Sequence, residues 1–192
     1  MQIEYEATFI NIDKDDIRSK LSAIGAKLVK PEHLQKRIVF NLPSGHEKEG
    51  GWLRVRDEGN KITMSLKIID GQNITDQKEI CLNIDSFDNA VDLLSAIGCP
   101  KKAYQETKRE LWLLDGVEIT IDEWPYLEPL VEVEGKSEEA VMEVSQKIGF
   151  DYSDALFCSA DKLYEMKYGV SKDVINNCTP RITFNEPNPF LN

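Results

Sequence analysis

The pentapeptide Leu-Ser-Ala-Ile-Gly occurs twice, as Leu21–Gly25 and Leu94–Gly98, and each copy closes what reads as a helix. Asp13 is positioned to cap the first helix over Asp15 to Ile24, where Ile17, Leu21 and Ile24 form one apolar stripe and Gly25 is the stop. Asp85 or Ser86 caps the second, which runs to Ile97 and stops at Gly98. One segment of alternating polar and apolar residues precedes each helix and three follow it, so the pattern is β-α-β-β-β twice. Eight alternating strands in two similar halves predict an α+β fold built on a closed eight-stranded antiparallel barrel with helices outside, because closure removes sheet edges.

The strands expected from alternation are Ile3–Phe9, Leu34–Leu42, Trp52–Arg56, Lys61–Ile68, Gln77–Ile84, Ala103–Leu113, Val117–Glu123 and Pro129–Gly135. Asp57-Glu58-Gly59-Asn60 and Asp115-Gly116 supply hairpin turns. Two further helices are expected over Ser137–Ile148 and Ser153–Tyr168, the second plugging one barrel end or lying on its wall. Residues 1–169 then form one domain, and the Pro- and Asn-rich tail 170–192 is ordered only if it folds back on the body.

The polarity of the strand faces carries the functional information. In a strand, side chains two apart share a face, so Glu4 and Glu6 lie together, as do Glu132 and Glu134, Arg54 and Arg56, and Glu118, Thr120 and Asp122. The opposite faces, rich in Ile, Val and Leu, are the ones able to carry helices, which turns the charged faces inward. The lumen would hold Glu4, Glu6, Glu79, Asp122, Glu132 and Glu134 together with Arg37, Arg54, Arg56, Lys67 and Arg109. Like charges about 5 Å apart repel by roughly 3 kcal/mol at an effective dielectric near 20, so acids so placed need cations. A polyanion carrying a divalent metal is the natural guest, with acids on the metal and bases on the phosphates.

The formal net charge of −11 argues against a nucleic-acid backbone or an anionic membrane as partner. Cys81, Cys99, Cys158 and Cys178 have no metal-binding or disulfide-framework spacing, and Cys81 reads as an inert small residue. His33 and His46 read as loop residues, and Trp52, Trp112 and Trp124 as packing anchors, Trp124 being close enough to a strand end to sit at a tunnel mouth. With no leader-like or membrane-length apolar run, the expectation is a cytoplasmic protein. A homodimer is one admissible assembly. A lone Glu-x-Glu strand is most often a solvated face; two of them with an Arg-x-Arg strand and the internal repeat favour the charged lumen.

Glu4-Tyr5-Glu6, Leu53-Arg54-Val55-Arg56, Ser65-Leu66-Lys67, Lys108-Arg109-Glu110, Ile121-Asp122-Glu123-Trp124-Pro125 and Val131-Glu132-Val133-Glu134-Gly135 occur in that order. From Glu4 to about Gly169 the chain thereby resembles the CYTH superfamily, or triphosphate tunnel metalloenzymes, which include class IV adenylate cyclases, thiamine triphosphatases and inorganic triphosphatases. The resemblance implies a triphosphate bound in an eight-stranded tunnel and Mg²⁺ or Mn²⁺ as cofactor. It implies Glu4, Glu6, Glu132 and Glu134 as metal ligands, Asp122 as a further ligand or an orienter of water, and Arg54, Arg56, Lys67 and Arg109 as phosphate-binding bases joined by Arg37. Thr8 and Thr107 stand where the family pattern has Lys. The readings that follow are a metal-dependent triphosphatase, a cyclase making cyclic AMP and pyrophosphate, and a non-catalytic triphosphate- or polyphosphate-binding domain.

Overall fold

The computed structural model describes residues 1–191. Its elements in chain order are β1 (Gln2–Ile3), β2 (Tyr5–Phe9), α1 (Lys14–Ala23), β3 (Lys27–Phe40), β4 (Gly51–Asp57), β5 (Ile62–Ile69), β6 (Gln77–Ile84), α2 (Phe87–Ala96), β7 (Lys101–Leu114), β8 (Val117–Glu123), β9 (Leu130–Gly135), α3 (Glu138–Ile148), α4 (Ala160–Tyr168) and β10 (Arg181–Ile182). The sheet order is β1-β6-β5-β4-β3-β7-β8-β9-β2. Its two ends, β1 and β2, are consecutive pieces of one chain segment, so the sheet closes on itself as an antiparallel barrel.

The first strand is the seam. Gln2 and Ile3 pair with Glu79 and Lys78 of β6, whereas Tyr5 to Phe9 pair with Gly135 to Val131 of β9. At the switch, the Glu4 amide donates to the Gln77 carbonyl at 2.9 Å. Beyond it the two strands part, and the gap is bridged by the buried Gln77 side chain, which donates to the Glu6 carbonyl at 2.7 Å, and by Leu156, whose amide and carbonyl both pair with Thr8.

The pentapeptide repeat becomes a repeated helix end. Gly25 and Gly98 adopt φ of 81° and 88°, in the left-handed region that glycine enters without steric cost. The next amides, of Ala26 and Cys99, reach back to the carbonyls of Leu21 and Leu94 at 2.9 Å in both halves. Asp13 accepts from the amides of Asp15 and Asp16, and Ser86 from that of Asn89. Asp115 and Gly116, both with positive φ, make the two-residue turn between β7 and β8.

Apolar faces of the wall lie under the helices. Ile17 and Leu21 of α1 and Val141, Val144 and Ile148 of α3 pack on Ala7, Phe9, Ile119, Ile121, Val131 and Val133. On the other side, α2 places Ala90, Val91 and Leu94 on Phe40 and Val55. Outward-facing Ile80 and Leu82 of β6 have no such cover and stay exposed. Inside, the buried residues are polar: Thr8, Gln35, Arg37, Arg54, Thr63, Ser65, Thr107, Thr120 and Asp122. No helix among the described residues is long and apolar enough to cross a membrane.

Three expectations need correction. The second strand begins at Lys27 rather than Leu34 and carries Pro31 within it. The missing proline N–H is tolerated because the ladder to β7 shifts register between Lys30 and His33, so His33 is a strand residue. The last helix starts at Ala160, not Ser153. The Ser153 hydroxyl donates to Asp151 at 2.7 Å and closes a single 3-10 turn, after which the chain runs extended past Thr8.

The tail folds back. Arg181 and Ile182 pair in parallel with Tyr104 and Gln105 of β7, and Ile175, Ile182 and Phe190 join Leu163 and Tyr164 of α4 around Trp124 and Leu130. The end of the barrel below Trp124 is thereby plugged, with the Tyr164 hydroxyl donating to the Pro125 carbonyl at 2.7 Å. Ile182 is fully buried. Ile182→Ala should therefore cost about 2 to 4 kcal/mol in a urea titration; an unchanged midpoint would mean that the tail adds nothing to the core.

Candidate active site

Strand register decides which charges meet in the lumen, and it segregates them. On one wall Glu6 of β2 lies directly opposite Glu134 of β9, which in turn lies opposite Glu118 of β8. On the other wall Arg37 of β3 lies directly opposite Arg56 of β4, with Arg54 two residues along. Like charges directly across a ladder are destabilising unless a counter-charge reaches both. The lumen is therefore an acidic wall facing a basic one.

Two bridges cross between them. The Lys67 ammonium meets Glu4 at 2.7 Å, and the Arg109 guanidinium forks onto Asp122, its Nε at 2.7 Å from Oδ1, while its outer nitrogen also donates to Glu132. Arg54 reaches Glu79 at 3.1 Å and Arg56 reaches Glu58 at 2.7 Å. Arg37 has no carboxylate partner among the described residues. Its outer nitrogen donates to the Thr107 hydroxyl and, at 3.4 Å, to the Gln35 side-chain carbonyl, and its guanidinium lies 4.6 Å from the centre of the Trp124 ring.

The carboxylates of Glu4, Glu6 and Glu134 converge so that one oxygen from each lies within 4.8 Å of the others. Glu132 lies outside this trio, held by Arg109, and Asp122 is fully buried behind the same guanidinium. Each remaining residue singled out from the sequence, namely Arg37, Arg54, Arg56, Lys67, Arg109 and Glu79, faces this common interior. Glu4 and Glu134 of the triad line a cavity of about 410 Å³ together with Gln2, Ile3, Glu79, Cys81, Gly135 and Lys136, at the end of the barrel away from Trp124.

Proton affinities report uncompensated charge on both walls. Burial, then the neighbouring Glu132, lifts Glu6 well above the ordinary carboxylate range, and burial with Glu4 beside it raises Glu134 to about 7. Asp122 is raised to about 6 by burial, despite its contact with Arg109. Glu132 is buried too, but Arg109 and Lys67 outweigh that and hold it lowered. Opposite, burial and the adjacent Arg54 bring Arg56 down to about 10, and burial with Arg54 and Arg56 beside it holds Arg37 well below the ordinary guanidinium range. Glu6 and Glu134, with raised proton affinity, and Glu4, whose oxygen lies this close to theirs, fit a divalent cation, which takes carboxylate oxygens and relieves their repulsion.

Four lumen residues lie on the faces that the sequence reading turned inward but were given no role by it. Gln35, Thr63, Ser65 and Thr120 are buried and aimed inward, and the hydroxyls of Thr63 and Thr120 have no hydrogen-bond partner among the described residues. Their signal was present, since each sits two residues from a charge on the same strand face. Lys108 and Glu110, by contrast, flank Arg109 and point outward, Lys108 to Glu123 at 3.0 Å and Glu110 to Arg18 at 2.8 Å.

A protein from Pyrococcus horikoshii OT3 superposes with a TM-score of 0.69 at 21% identity, covering 85% of this chain and 99% of that one. A putative adenylate cyclase from Vibrio parahaemolyticus gives 0.73 at 15% identity, with 85% and 98% coverage. A putative adenylyl cyclase from Hippeastrum, described as having a dominant triphosphatase activity, gives 0.59 at 15%, with 88% and 97% coverage. These likenesses extend over the barrel and show a shared fold. No curated protein sequence matches the chain significantly. The CYTH domain profile matches residues 2–165, nearly the whole chain. With the barrel, its charged lumen and that match together, the chain belongs to the CYTH domain family.

Proposed function

We propose that the chain is a metal-dependent phosphohydrolase that takes a triphosphate into its lumen. The observation that carries this reading is the basic wall: Arg37, Arg54 and Arg56 crowd together with one guanidinium lacking any carboxylate. A linear oligophosphate supplies several anionic oxygens in a row, matching guanidinium forks set at two-residue spacing. Glu4, Glu6 and Glu134 would hold Mg²⁺ or Mn²⁺. The ion supplies charge neutralisation on phosphate oxygens and activation of the nucleophile. Arg54, Arg56 and Lys67 bind non-bridging oxygens and stabilise the charge that builds in an in-line displacement. Arg109, clamped by Asp122 and Glu132, is fixed in orientation before substrate arrives. Water bonds to phosphorus as a bridging P–O bond breaks, so inorganic triphosphate gives orthophosphate and diphosphate. The triphosphatase activity described for the Hippeastrum protein of the same fold supports hydrolysis over cyclisation.

Phosphate release should be seen from at least one of inorganic triphosphate, ATP and thiamine triphosphate, with Mg²⁺ or Mn²⁺ required. Glu134→Gln should lower the rate by roughly 10²-fold at constant fold content. Cyclic AMP and pyrophosphate from ATP, in place of phosphate, would move the protein to the cyclases.

Three acids of the lumen also make stability depend on pH. Glu6, Glu134 and Asp122 hold protons in the folded state that they release when unfolded, because their folded affinities are raised. Between the ordinary carboxylate range and about 7 the folded state binds more protons, so stability falls as pH rises through that window. In EDTA the melting temperature should be lower at pH 7.5 than at pH 5. Mn²⁺ should recover it at pH 7.5 and act much less at pH 5, where Glu6 and Glu134 already carry protons. A melting temperature that rises across the window, or that Mn²⁺ leaves unmoved at pH 7.5, would count against the trio as a metal site.

A further inference from the structure

The barrel is not sealed along its full height. β1 pairs with β6 only at Lys78 and Glu79, whereas β5 runs beside β6 as far as Ile84, so the stretch Ile80 to Ile84 is bound on one side alone. The Gln77 carbonyl accepts from the Glu4 amide, so the peptide groups of Gln77 and of every second residue after it point away from β5. Those of Cys81 and Asn83 therefore stand at an open edge, and no backbone partner meets them among the described residues. Ile80 and Leu82 lie on the outer face beside Leu66 and Met64 of β5, and they are 43% and 51% exposed. Open edges are ordinarily blunted by charge, proline or a bulge, because a bare one invites another strand. The same chain does this where β3 outruns β4: the stretch before Lys36 carries Lys27, Lys30, Pro31 and Glu32 and is broken by register shifts. On β6 the edge has none of these, since Ile80-Cys81-Leu82-Asn83-Ile84 holds no charge, no proline and no bulge in a chain whose formal net charge is −11.

We propose that this open edge of β6 pairs antiparallel with the same edge of a second copy of the chain, about a two-fold axis at Leu82. The stretch is symmetric in character about that residue, apolar at Ile80, Leu82 and Ile84 and uncharged at Cys81 and Asn83. Under the axis Leu82 faces Leu82 of the second copy, Ile80 faces Ile84, and the peptide groups of Cys81 exchange hydrogen bonds with those of Asn83. Leu82 then forms a non-hydrogen-bonded pair, the kind in which cross-strand side chains come closest. An acidic or basic peptide of another protein would find no counter-charge on this stretch, whereas its own rotated copy matches it residue by residue. Met1, the residue before β1, is exposed and takes no part in the ladder, so it can swing clear. An isologous contact of this kind closes at the dimer. Cys81 also lines the mouth cavity, so the joint runs beside the opening of each lumen. The pairing does not depend on what the lumen binds.

The test is sedimentation equilibrium of the full chain over a concentration series, for the wild type and for Leu82→Lys, which sets two ammonium groups face to face on the axis. The wild type should show a monomer–dimer equilibrium, and the variant should weaken it roughly 100-fold or more. Because Leu82 is exposed in the single chain, the circular dichroism of the variant should match that of the wild type. A second variant fixes the register. Leu82→Cys, oxidised with copper phenanthroline, should give a covalent dimer in which peptide mapping joins position 82 of one copy to position 82 of the other, since the paired backbones stand at disulfide distance there. In the wild type Cys81 would face Asn83 of the second copy, and the same oxidant should form no bridge between the two Cys81 thiols. A wild type that sediments as a monomer throughout, a dimer that Leu82→Lys leaves intact, or Leu82→Cys chains that do not join through position 82 would each overturn the pairing.

Discussion

Like charges set face to face across a β-ladder are the constraint on which this molecule turns. Glu6 opposite Glu134 and Arg37 opposite Arg56 are each unfavourable pairs, the first at the rim of the lumen and the second with Arg37 buried inside it. The barrel tolerates them because it places the acidic wall across from the basic one and ties the two by Lys67–Glu4 and by the Arg109 fork. Those ties leave charge over on both sides: the carboxylates of Glu6 and Glu134 on one and, among the described residues, a guanidinium with no carboxylate on the other. A ligand that is cation at one place and anion at another completes the arrangement, and a metal–oligophosphate complex has that character.

The closed wall is what allows such an interior. In an open sheet the charged face would simply be wet, and nothing would hold Arg37 against Arg56. Closure depends on a segment too short to be two strands and yet paired on both sides, Gln2–Phe9, which leaves β6 for β9 at Glu4. The same switch that seals the barrel puts Glu4 at the mouth and Glu6 beside it in the lumen. Below it the seam is finished by Gln77 and Leu156, so the segment leading into the plug helix is stitched to the strand that carries the acids.

Much of this was legible because alternation with period two is a property of residues near one another in sequence. The barrel, its two halves, the inward charges and the duplicated helix end all follow from local pattern, and the glycines at 25 and 98 make the same turn in both copies. What stayed hidden depends on neighbours far away in sequence. Pro31 argued against a strand, yet a register shift against β7 accommodates it. Ser153 had the chemistry of a helix cap, but Asp151 takes its hydroxyl first. A tail rich in Pro and Asn gave no periodic signal, although Ile182 and Phe190 are buried. Spacing alone also put Glu132 with Glu134, whereas the side chain turns to Arg109, which β7 brings in from across two strand pairs.

The most direct test of the central claim is anomalous diffraction from crystals grown with Mn²⁺ and imidotriphosphate. The account predicts a manganese peak among Glu4, Glu6 and Glu134, with the phosphates lying across the lumen on Arg37, Arg54 and Arg56. Manganese bound elsewhere, or a phosphate chain outside the barrel with the lumen holding water alone, would contradict it.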